Sequence, residues 1–285
     1  MRSAVLFAAL AMVGAEGCVS SAPSHTTIPV RPAAASPALP STSGPWVMVA
    51  PLSQRVMMQT AAVLAISGDG GTRTDTLNST LSASFAWASR AHRRVDGSLM
   101  DYRLARGAES PAPLAGVTLP RAFTAEQSGP ALALRVPGEN VACTDPSQSV
   151  LQSMHDAWLP LPDTLIIGRE WTDTVKTLTC RDGLTLHGSA VRHFRVVRGE
   201  IAEGNRLVVL IDRIARNSVT GEGEQFGERV ALRGDGSGTL RYVLDPLAGR
   251  LLRAEGSASL VLSFKSSRRN QQVRQETRTT ISWLP

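Results

Sequence analysis

Apolar and polar positions alternate along most of this chain. Leu77, Leu81, Ala83, Phe85 and Trp87 share one phase, and Thr76, Asn78, Thr80, Ser82 and Ser84 the other. Such alternation predicts a half-buried antiparallel strand. The pattern recurs in Leu184, Leu186, Ala190, Phe194 and Val196, and in Ala258, Leu260, Leu262 and Phe264, whose opposite face is serine-rich. Residues 206–216 are apolar on both faces, through Leu207, Val209 and Ile211 and through Val208, Leu210 and Ile214, as in a strand covered on both sides. Further strands are expected over 55–67, 98–106, 123–127, 131–136, 171–180, 225–233, 238–245, 250–265 and 271–284. Turn signals separate them at 68–71, 93–97, 181–183, 199–205, Asp235-Gly236, 245–249 and 266–270. The glycine-rich runs 221–224 and 234–238 read as hairpin loops.

One segment has helical spacing. Val150, Leu151, Met154 and Trp158 form one stripe, which predicts a helix near 146–158. Asp145 suits the cap, Pro146 the first helical position, and Gln148 stands where it can reach back to the cap. Leu159-Pro160-Leu161-Pro162 ends the helix, because each proline drives the residue before it out of the α region. Trp158 and Trp171 read as core, with the lining of a ligand cavity as the alternative. The predicted fold is therefore mainly β: a large curved antiparallel sheet, a half-barrel, with one short helix. A sheet of so many strands must curl, split or close.

The first residues depart from this pattern. Arg2 precedes a short apolar run, Ala4 to Val13, too short to span a bilayer, and Ala15-Glu16-Gly17 offers small residues before Cys18. Residues 1–17 read as an export signal; with Cys18 directly behind it the stretch resembles a bacterial lipoprotein signal, which implies that Cys18 becomes a lipid-bearing N-terminus, with ordinary secretory cleavage as the alternative. Residues 18–44, rich in Ser, Ala and Pro, read as a disordered tether, and 45–285 as a single β-rich domain. Glu16, and Ala15 in place of the usual leucine, depart from the bacterial lipoprotein pattern. The expected location is the cell envelope, with the protein lipid-anchored to the outer membrane and facing the periplasm. Export also permits a disulfide between Cys143 and Cys180, the two cysteines left once Cys18 is lipidated.

Composition narrows the function classes. The net charge is +6, and Lys176 and Lys265 are the only lysines. The arginines are scattered and not interleaved with aromatic residues, so no nucleic-acid partner is expected. His25, His92, His155, His187 and His193 have no zinc spacing, and no calcium-loop pattern is present. There is no G-x-S-x-G elbow, phosphate loop or dinucleotide fingerprint. No enzyme activity, metal or cofactor is expected, and oligomeric state is not legible.

An export signal with a tether, a long meander and a small helix, together with Leu159-Pro160-Leu161-Pro162 and Gly168-Arg169-Glu170-Trp171, resembles the layout of uncharacterised envelope lipoproteins and of the Lol-type lipoprotein-carrier half-barrel. The resemblance spans Trp46 to Pro285 as layout. It implies a lipid or other apolar ligand in the concave face of the sheet, and no catalytic residues. Candidates for that lining are Phe85, Trp87, Phe194, Leu260, Leu262 and Phe264, each of which reads first as ordinary core and only second as ligand lining. The alternative is a structural or assembly protein of the envelope without a small ligand.

Overall fold

The structure is a computed structural model that describes residues 41–47, 53–68, 71–87, 94–128, 131–137, 146–181, 183–225, 227–267 and 270–284. The export signal, Cys18, most of the tether, Asp145 and Cys143 lie outside the described residues. The strands are β1 (Trp46–Val47), β2 (Ser53–Gly68), β3 (Gly71–Trp87), β4 (Arg94–Arg106), β5 (Ala112–Pro113), β6 (Arg121–Ser128) and β7 (Ala131–Arg135). After a helical segment come β8 (Thr164–Leu165), β9 (Glu170–Arg181), β10 (Leu184–Ala202), β11 (Arg206–Gln225), β12 (Glu228–Asp245), β13 (Arg250–Lys265) and β14 (Asn270–Leu284).

Twelve strands form one sheet in the order β3-β2-β14-β13-β12-β11-β10-β9-β7-β6-β4-β5. β3 also pairs with β4, from Leu77 opposite Arg106 to Trp87 opposite Val95, so the sheet returns on itself as a nearly closed barrel. It thus curls further than a half-barrel. The pairings are antiparallel except β7 with β9, which run parallel where Ala131 and Leu132 meet Thr174 and Val175. Along every long strand alternate residues point inward, and the hydrogen-bonded rows carry that choice from strand to strand.

Three turn expectations change. The glycine-rich run 221–224 continues β11, and 234–238 is the middle of β12. Gly97 lies within β4 and not in a turn. The glycines of β12 suit close approach of neighbouring strands: a Cβ on Gly236 would come within 2.3 Å of the Ser259 carbonyl oxygen, and one on Gly234 within 2.4 Å of Leu262 Cδ2. They let the long strands coil tightly instead of ending them. Glycine does serve a turn at Gly183, between β9 and β10, where φ is +83°.

The helical segment is α1 (Pro146–Gln152) continued by a 3-10 turn over Ser153–Ala157. Gln148 does not serve the helix cap. Its Oε1 accepts from the Val136 backbone N–H at 2.9 Å, and its Nε2 donates to the Leu134 carbonyl at 3.0 Å. Gln152 Nε2 donates to the same carbonyl at 2.9 Å. The two amides thus satisfy backbone groups at the end of β7 that would otherwise be buried without partners. α1 packs against β7 and β9, and the 3-10 turn reaches β2.

The apolar interior divides in two. The larger cluster surrounds the helical segment and includes Phe85, Phe123, Leu151, Met154, Trp158, Phe194 and Tyr242. The smaller one, near the hairpin tips, is built on Leu64, Ile66, Leu77, Leu232, Leu262 and Val273. Outward positions are strongly charged: Arg229, Arg233 and Asp235 on β12, Arg253 and Glu255 on β13, and Arg274, Glu276 and Arg278 on β14 are all exposed. An arginine facing lipid at the bilayer midplane costs about 2–4 kcal/mol, so this wall is built to face water.

Candidate functional site

The sequence candidates for a ligand lining divide between the two clusters. Phe85 and Phe194 are buried beside the helical segment, where Phe85 meets Phe123 edge-on at 5.6 Å and Phe194 stacks on Trp171 at 5.3 Å. Leu262 is buried in the smaller cluster, with Leu260 and Phe264 half-buried against it. Trp87 ends β3, and its side chain lies outside the described residues. No one surface gathers all six.

Between the clusters the interior changes character. Leu260 on β13 and Gln275, Thr277 and Thr279 on β14 point inward, in phase with buried Leu262, Val273 and Ile281, yet stay half-exposed. Leu260 packs against the smaller cluster and Gln275 Nε2 donates to Thr277 Oγ1 at 2.9 Å, yet part of each of these inward side chains is left uncovered. Small residues face the same stretch: Ala62, Ala215, Gly238 and Ala258 occupy one hydrogen-bonded row with Thr277 and Arg192.

The adjacent row is polar. Trp171, Phe194, Arg213, Leu240, Gly256, Thr279, Thr60 and Ser79 follow one another across β9, β10, β11, β12, β13, β14, β2 and β3. Arg213 is 4% exposed and Thr60 6%. Three buried polar atoms of this row, Trp171 Nε1, Arg213 Nε and Thr60 Oγ1, have no hydrogen-bond partner among the described residues. Native interiors rarely leave such groups alone, and each calls for a reason.

An ion-pair network ties this belt to the helical segment. Fully buried Arg192 donates from Nε to Asp173 Oδ1 at 2.7 Å and from Nη2 to Asp173 Oδ2. Its Nη1 donates to the carbonyls of His155 at 2.6 Å and Trp158 at 3.3 Å. Arg213 Nη1 donates to Asp156 Oδ1, and Tyr242 Oη donates to the Asp156 carbonyl at 2.9 Å. The positive groups thus meet the carbonyls at the C-terminal end of the helical segment, where helix polarity favours them. Burial pushes the Asp156 carboxyl up, but Arg213, His155 and Arg192 outweigh it and hold its pKa below the ordinary value. Burial lowers the His155 pKa, against the raising effect of Asp156. His155 Nδ1 lies 2.8 Å from the Gln152 carbonyl, which can only accept, so this nitrogen carries the proton. Burial raises the Tyr242 pKa.

Sequence reading passed over Arg192, Arg213, Asp173 and Thr60, although a signal was present. Arg192 stands in phase with Ala190, Phe194 and Val196, and Arg213 in phase with Val209 and Ile211. Thr60 shares the phase of Met58 and Ala62. A charge on the apolar phase of a strand marks a buried, paired group.

Other chemistry is weaker. Among the described residues no group of three His, Cys, Asp or Glu side chains could hold a metal. His187 and His193 are exposed on the outer face, and His193 Nδ1 lies 3.0 Å from Thr172 Oγ1. An open outer hollow of about 460 Å³ beside Val208, Val243 and Leu252 is rimmed by both signs of charge, through Glu200, Glu203 and Arg253.

No family model matches the chain, and no curated protein matches it. Superpositions with solved structures return outer-membrane proteins. Neisserial surface protein A aligns over 80% of this chain and 96% of its own, at 9% identity and a TM-score of 0.23. OpdQ of Pseudomonas aeruginosa aligns over 82% and 99%, at 6% identity and a TM-score of 0.28. The outer membrane protein OprD of the same organism aligns over 86% and 97%, at 7% identity and a TM-score of 0.27. Scores this low assign no family and no activity, and no Lol-type carrier is among these three.

Proposed function

We propose that this chain is an exported envelope protein, tethered through a lipid on Cys18, whose barrel takes a small ligand into the space between its two apolar clusters. The protein acts by binding, without catalysis. The single observation that carries the reading is the inward but half-exposed set Leu260, Gln275, Thr277 and Thr279, framed by small residues and by buried rows on either side. Pockets of this kind, apolar with a few placed polar groups, are the usual form of small-molecule sites. The sequence supports the tether, and the charged outer wall supports a barrel held beside a membrane and not immersed in one.

This reading moves the ligand from the six aromatic and aliphatic candidates to a more polar stretch, of which Leu260 alone was a sequence candidate. Native mass spectrometry of the Cys18→Ser protein, released from the membrane, tests it. The expected spectrum shows the chain with one discrete bound molecule. That molecule is lost when Ala258→Phe fills the space in a variant that keeps its strand circular dichroism. A bare chain in both proteins, with the variant the more stable, overturns the reading in favour of a filled barrel.

A further inference from the structure

Resting on the reading of the interior as a ligand lumen, we infer that the lumen selects an amphiphile with an uncharged, oxygen-bearing head, held at the row of Trp171, Arg213 and Thr60. The unpartnered atoms are two N–H donors, Trp171 Nε1 and Arg213 Nε, and one hydroxyl, Thr60 Oγ1. Arg213 and Thr60 stand four strands apart on one inward row, and Thr60 is six strands from Trp171. In a ring of eleven strands that separation places Thr60 on the wall opposite Trp171. Donors facing inward from both walls call for an occupant bearing acceptors. Ester carbonyls and hydroxyls supply them.

Charge decides against an ionic head. Arg213 is already matched by Asp156 and Arg192 by Asp173. A carboxylate or phosphate brought to this row would find each guanidinium already committed, and a buried charge without a partner is costly. The remaining part of the ligand is apolar. From the row of Thr279 and Gly256 toward the β13–β14 hairpin, the inward residues pass through Ala258 and Thr277 to Leu260, Leu262 and Phe264. A hydrocarbon chain laid along that line reaches the smaller cluster, where Leu260 and Phe264 stay half-buried.

Binding of 1-monolauroylglycerol and of laurate to the Cys18→Ser protein, each below its micelle concentration and followed by calorimetry and tryptophan emission, separates the possibilities. The expected result is one-to-one binding of monolauroylglycerol, with laurate at least ten-fold weaker. Thr60→Val, which removes the hydroxyl and keeps the shape, weakens monolauroylglycerol about five-fold, the loss expected for one hydrogen bond. Laurate binding as tightly or more tightly overturns the uncharged head while leaving the lumen in place. An unchanged affinity in Thr60→Val overturns the role of this row. No binding of either probe, with Ala258→Phe more stable than its parent, means that ordered water alone satisfies these atoms and overturns the lumen as well.

Discussion

Arg192 and Asp173 stand directly opposite each other on β10 and β9, at 0% and 1% exposure, and share two parallel hydrogen bonds inside the barrel. The same guanidinium holds the carbonyls of His155 and Trp158, so one side chain ties two strands to the helical segment. A buried pair of this kind adds little net stability against apolar residues of the same volume, but losing one partner strands the other. Asp173→Asn is therefore expected to destabilise the fold by about 3–5 kcal/mol. The double change Asp173→Leu with Arg192→Met should recover most of that loss. Urea midpoints of the three proteins check the pattern, and a double variant as unstable as the single one contradicts it.

His155 and Asp156 make this junction sensitive to acid. In the unfolded chain His155 titrates near its ordinary 6.5, while burial holds it lower in the fold. Above pH 6.5 it is neutral in both states and favours neither. As the pH falls below 6.5 the unfolded chain takes up a proton that the fold resists, so stability declines until the folded pKa is passed. Asp156, lowered from 3.8, acts in the same sense at more acid pH: its contribution is present above 3.8 and is lost as the pH falls through its folded value. Stability measured by urea unfolding at pH 7.5 and 5.5 should drop, and His155→Gln should flatten the drop. Equal slopes in the two proteins would assign the effect elsewhere.

Legibility in the sequence followed side-chain contrast. β3, β10, β13 and β14 alternate sharply between apolar and polar residues, and their extents were readable. In sequence β11 and β12 look shorter than they are, because Gly221, Gly223, Gly234, Gly236 and Gly238 carry the usual signal for a turn. What those glycines supply is room for neighbouring backbone, a cause that depends on three-dimensional contact and leaves no mark in a linear pattern. Closure was hidden for a similar reason: the β3–β4 pairing that completes the ring is set by how far the sheet coils. Gln148 was readable as a helix-cap residue, yet β7, close in space, offered its amide two buried backbone groups. The belt of Arg213 and Thr60 was half legible, since their phase placed them inside and their polarity suggested the opposite.

The phase of β13 can be tested directly. Leu262 is 4% exposed within the smaller cluster, whereas Ser263 points outward opposite Arg233 and Gln272. Leu262→Asp buries an unpaired charge at a cost of several kcal/mol, comparable to the stability of a typical domain. Ser263→Asp places the same charge beside Arg233 on a wet surface and should shift the melting temperature by no more than a degree or two. Thermal melts of the two variants that coincide would show the strand facing the other way.

Cys143 and Cys180 are expected to form a disulfide. Cys180 lies near the end of β9, with its sulfur 3.8 Å from Thr185 Oγ1. β7 runs parallel to β9 with Ala131 opposite Thr174 and Leu132 opposite Val175, and that register, carried on, sets position 137 beside Cys180. The chain returns as α1, whose Gln148 is bonded to Val136. Cys143 lies outside the described residues, between Val136 and Gln148, which are bonded to each other. A disulfide there would clamp the start of the helical segment to the barrel wall. In the chain-entropy model, closing a loop of this length stabilises the fold by about 3–4 kcal/mol, less any strain. Peptide mapping of unreduced protein should recover the two cysteines in one linked fragment, and Cys143→Ser with Cys180→Ser should lower the urea midpoint accordingly. Recovery of both as alkylatable thiols from oxidised, folded protein would leave Gln148 and Gln152 as the groups that hold α1 to β7.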